Sequence, residues 1–112
     1  GENMDLIVFF EEIEGIILEV DRIIEELDKT EYISREKISQ LLLRVSKIME
    51  TWLYFIKEMR DTDEQLLMEI YEDIAKASLT EDRIRLTDAL LFGLQNLLCE
   101  YYIVLKEAVN EE

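Results

Sequence analysis

The 112-residue chain has no histidine, no proline, one cysteine, one tryptophan and three glycines. Each scarcity removes something. Without imidazole there is no triad of the usual serine or cysteine kind, no ordinary zinc centre, and none of the Glu-x-x-His pairs that hold di-iron in helical bundles. Without proline, and with so little glycine, turn-rich β architecture is disfavoured and long helices are favoured. Cys99 is alone, so no internal disulfide is possible, and a reduced, cytoplasmic setting fits. A buried structural thiol is the expected role of Cys99, since nothing near it in sequence would activate it. Gly15 and Gly93 stand singly in helical patterns, so there is no glycine-rich phosphate loop. Gly1 reads as a tag residue, with Met4 near the natural start. The longest unbroken apolar runs, Leu6 to Phe10 and Tyr101 to Leu105, fall far short of a bilayer span, and no membrane association is expected.

What the chain has in excess is negative charge. Twenty-seven Asp and Glu against 12 Lys and Arg leave a formal charge of −15. Such a field repels a phosphate backbone or an anionic membrane, so nucleic acid is not an expected partner; basic proteins, basic peptides or cations are. An apolar fraction of 49% is ordinary for a globular protein and argues for one folded domain over residues 1–112.

Apolar spacing predicts four helices, at about 4–28, 35–60, 63–78 and 81–110. In the first, Leu6, Phe10, Ile13, Ile17, Val20, Ile24 and Leu27 recur at spacings of three and four, with Glu11, Glu14, Asp21, Glu25 and Asp28 in the same rhythm on another face. Ser34 is a good N-cap for the second, with Ile33 and Ile38 placed as a hydrophobic staple. Its seam is Ile38, Leu42, Val45, Met49, Trp52, Ile56 and Met59. Asp61 and Glu64 are spaced as a capping box for the third helix, which turns Leu67, Ile70, Ile74 and Ala77 inward. Thr80 is the expected cap of the fourth, with Leu79 and Ile84 as its staple and Ile84, Thr87, Leu91, Leu94, Leu98, Tyr101, Leu105 and Ala108 inward. Short connections make neighbours antiparallel, so the expected fold is an all-α, up-and-down four-helix bundle. Charge agrees: residues 32–60 hold six bases against three acids, whereas the segments before and after are acidic.

Carboxylates on one helix face can hold Mg²⁺, and Glu69, Glu72 and Asp73 are the weak metal candidates. With Glu11, Glu12, Glu14, Glu25 and Asp28 they loosely resemble the all-α nucleotide pyrophosphohydrolases, which hold magnesium between helices with Glu-Glu-x-x-Glu and Glu-x-x-Asp motifs. The first motif is not met, because the spacing after Glu12 differs. In a chain this acidic such spacings arise by coincidence, and no cofactor is expected.

The apolar surplus says more. On a regular wheel Phe92, Cys99 and Ile103 fall opposite the seam of the fourth helix, Leu43 and Tyr54 opposite that of the second, and Val8 and Leu18 interrupt the acidic side of the first. Bundle helices keep one face wet, so these residues point to a second contact. Phe92, Cys99 and Ile103 are the primary candidates, with Leu43 and Tyr54 second. The favoured reading is a homodimer. An acidic assembly chaperone shielding a client helix is the rival, and scattered surface hydrophobes are the plain reading. Ala89-x-x-x-Gly93 suits a close helix crossing, with a partner or inside the bundle.

The pattern Leu86-x-Asp88-x-Leu90-x-Phe92-x-Leu94-x-x-Leu97-Leu98-x-x-Tyr101 resembles the closing helix of small uncharacterised helical proteins of Gram-positive bacteria, some encoded near flagellar genes. Gly93 stands where that pattern has Glu, and Asn96 where it has Pro. The resemblance implies a bacterial helical protein and no particular activity.

Overall fold

A computed structural model describes residues 6–30, 32–55 and 61–110, with side chains for all of these except 53–55, 61–63 and 108–110. The chain is an all-α bundle of α1 (Leu6–Thr30), α2 (Arg35–Phe55), α3 (Asp61–Leu79) and a fourth helix in three parts. These are α4 (Arg83–Asp88), a π-helical stretch Ala89–Gln95, and α5 (Asn96–Asn110). Each helix packs on the next, and the fourth closes against α1, which places α2 diagonally across from it.

The core of α1 is Phe9, Ile13, Ile16, Val20, Ile23 and Leu27. Ile13, Val20 and Leu27 are as expected, whereas Phe9, Ile16 and Ile23 come from the adjoining column. Leu6, Phe10, Ile17 and Ile24 are half-buried and pack at the edge of the core, because α1 carries two adjoining apolar columns with the same spacing. Phe10 meets Tyr102 of α5 edge-on, ring centres 5.2 Å apart. On α2 the wheel likewise omitted Leu41 and Ile48, both buried, while Met49 is half-buried; so is Ile70 on α3. Phe9, Trp52 and Tyr101 stack through the core, with centroids at 5.9 and 4.1 Å. The Trp52 indole N–H is buried with no acceptor among the described residues.

Local caps follow the chemistry of their residues. Ser34 Oγ accepts the Lys37 amide at 3.3 Å, and its flanking Ile33 and Ile38 are buried. At α3–α4 the expectation was wrong. Thr80 turns its hydroxyl back to the Lys76 carbonyl at 2.9 Å, and Asp82 caps α4 by accepting the Arg85 amide at 3.1 Å. Glu81 lies between them at φ 56°, while the Asp82 amide reaches the Ala77 carbonyl and the Glu81 amide that of Ser78. This is the bonding of a helix end that normally uses glycine. Leu79 and Ile84, expected as a buried staple, are both exposed. The side chains of Asp61, Ile56, Met59 and Ala108 lie outside the described residues.

The glycines serve the bundle's own contacts. A Cβ on Gly93 would sit 3.3 Å from two carbons of Ile70, so the Ala89–Gly93 crossing is internal, against α3. At Gly15 the missing side chain leaves room for the Arg44 guanidinium, which reaches Glu12 at 2.7 Å. A second α1–α2 pair joins Glu26 and Lys37.

Candidate interaction face

Buried positions on the fourth helix run Leu86, Leu90, Leu94, Leu98, Tyr101 and Leu105, with Leu97 buried beside them. A straight α-helix turns about 40° at each spacing of four, so three in succession would carry Leu98 a third of a turn away from Leu86. The π-helical stretch absorbs that drift by fitting an extra residue into a turn. On the outer side the same correction applies to Ile84, Asp88, Phe92 and Asn96, which line up with Cys99 and Ile103 on α5. Ile84 was expected inside; it is 74% exposed. Phe92 is 71% exposed and Ile103 56%, while Cys99 is half-buried. The outward stripe is therefore Ile84, Phe92 and Ile103, with Cys99 at its margin. The run of fours was the signal in the sequence that could have recruited Ile84.

Gln95, also in the π-helical stretch, ties the stripe to α1. Its amide donates to the Asp21 carboxylate at 2.8 Å and to the Ile17 carbonyl at 3.2 Å. Further along, the Tyr102 hydroxyl donates to Glu14 at 2.6 Å, and Lys106 lies over the Tyr102 ring at 5.3 Å. On the other edge Arg85 pairs with Asp73 of α3 at 3.0 Å.

The remaining candidates do not join this face. Leu43 is exposed on α2, the helix diagonally opposite. Tyr54 lies on the same helix, with its side chain outside the described residues. Glu69, Glu72 and Asp73 do not converge. Glu72 lines a shallow groove of about 280 Å³ with Ser46, Met49, Met68 and Tyr71, whereas Asp73 is held by Arg85 towards the fourth helix. Among the described residues no three Asp, Glu, Cys or His side chains gather as a metal site.

Residues Arg83–Glu107 form one helix long and apolar enough, by length and composition, to cross a membrane, with a mean hydropathy of 1.2 over its best window. Counting only unbroken apolar runs missed it, because Gln95, Asn96 and Glu100 interrupt the run without making the helix polar. A third of that window is buried in the bundle. Compared with known proteins, the chain matches no protein-family profile, no curated protein and no solved structure.

Proposed function

We propose that this chain is a non-catalytic protein-interaction module of the cytoplasm that binds another polypeptide through the outer stripe of its fourth helix. The observation that carries this reading is the alignment of Ile84, Phe92 and Ile103, all well exposed, on one helix. Single exposed hydrophobes are normal on any surface. Three large ones in register along a helix that already buries its opposite side are a contact face in waiting. Between residues 89 and 106 the helix carries one acid, Glu100, and one base, Lys106, in a chain of net charge −15. That low local charge suits apolar contact.

The test is Phe92→Glu combined with Ile103→Glu. Both sites are exposed, so unfolding is expected to shift by no more than about 0.5 kcal/mol per site. Sedimentation and cross-linking of the unmodified chain, alone and in native extract, should reveal an assembled species that the double variant loses. If the unmodified chain forms no such species, or the variant forms it equally well, the reading fails.

A further inference from the structure

Along the α1 side of the stripe runs a row of exposed carboxylates at heptad spacing, Glu14, Asp21 and Asp28. Tyr102 and Gln95 hold the first two beside the fourth helix. Both are neutral donors, so they fix the carboxylates without cancelling their charge. Asp28 borders the same surface depression as Ile84 and Arg83. The stripe's own helix adds exposed Asp88, Glu100 and Glu107. Of the bases near this set, Arg22 and Lys29 pair along α1 with Glu19 and Glu25, Arg85 is engaged by Asp73, and Arg83 and Lys106 lie on the fourth helix itself.

Resting on the reading that the stripe is a contact face, we infer that its occupant is a basic amphipathic helix of another protein. Its apolar side covers Ile84, Phe92 and Ile103, and Lys or Arg residues along one flank reach the α1 row. The stripe is about 28 Å long at about 1.5 Å per residue, so a helix of about twenty residues spans it. Symmetry argues against an antiparallel second copy. A two-fold axis that lays the stripe antiparallel on itself sets each edge beside its own equivalent, so the Glu14–Asp28 row meets another such row. Like charges facing each other oppose that pairing, and a basic helix converts the same row into attraction.

The probe is a fluorescein-labelled synthetic helix of about twenty residues, with leucines at spacings of three and four and lysines at every seventh position on one flank. Its control has the same residues in a non-periodic order. By anisotropy in low salt, the periodic peptide binds the full chain at least about tenfold more tightly than the control. Phe92→Glu with Ile103→Glu removes that advantage. Asp21→Asn with Asp28→Asn weakens binding roughly three- to tenfold, and the loss shrinks as salt is raised. Equal binding of the two peptides, or indifference to both double variants, overturns the inference. A dimer that Phe92→Glu dissociates, with no preference for the periodic peptide, overturns it while leaving the proposed function standing. Binding to zwitterionic vesicles through the stripe, with neither peptide preference nor self-association, overturns both.

Discussion

Glu81 is the residue whose backbone works hardest against its own side chain. At φ 56° it occupies the left-handed region, where a Cβ is strained and glycine is not. Its side chain gives little in return, an exposed 3.7 Å approach to Arg35. Glu81→Gly should therefore stabilise the chain by about 0.5–1 kcal/mol. Urea unfolding followed through the single, buried Trp52 measures this, and an unchanged or lower midpoint would count against the geometry. Lys37 gives a second expectation at this scale. The hydrogen bond to Glu26 raises its pKa above the ordinary lysine value of 10.5. A raised value in the folded chain means that the pair's contribution is complete below 10.5 and is lost as pH climbs through the higher folded value. Any melting difference between the unmodified chain and Lys37→Met should accordingly narrow in strong alkali; a difference that widens there contradicts the pairing.

Among the elements, the fourth helix decides the most. Its core spacing of four repeated three times requires the π-helical stretch at Ala89–Gln95. Removing one residue there, Leu91, would leave Leu86, Leu90, Leu94 and Leu98 at an alternation of four and three, which a regular α-helix satisfies. Deleting Leu91 should cost only the area of one half-buried leucine, on the order of 1–2 kcal/mol. Deleting Glu100, though exposed, rotates Tyr101 and Leu105 by about 100° out of the core and should cost several times more. Thermal unfolding of the two deletions separates these outcomes, and equal costs would mean the π turn is not what sets the register. The same element explains what could be read beforehand and what could not. Helix number, order and antiparallel packing follow from apolar periodicity and short connections, and both were legible. Phase was not. Two adjoining apolar columns on α1 fit the same spacing rule, and a fixed 100° wheel cannot register the extra residue in the fourth helix, so Ile84 was assigned to the core. Phe92 and Ile103 escaped that error because each lies so far from the seam that the correction does not change its side. The α3–α4 turn was misjudged for a different reason: Thr80 and Asp82 can both act as caps, and only the backbone decides between them.

At the scale of the whole molecule, charge and apolar surface divide the labour. Acid covers α1 and α3, the basic α2 lies between them, and the middle of the fourth helix is almost uncharged. The net negative charge of −15 opposes close approach of copies, and the apolar stripe is where another chain has a reason to approach. Isoleucine methyl groups sample both surface and core, which makes them the most direct witnesses. The decisive measurement is a methyl NMR titration of isoleucine-labelled protein, first against its own concentration and then against the periodic basic peptide. The account predicts that Ile84 and Ile103 shift and broaden on adding the peptide, while buried Ile48 and Ile74 stay still. If Ile84 and Ile103 are unmoved by either titration, or if the changes centre on α2, the fourth helix is not the contact face.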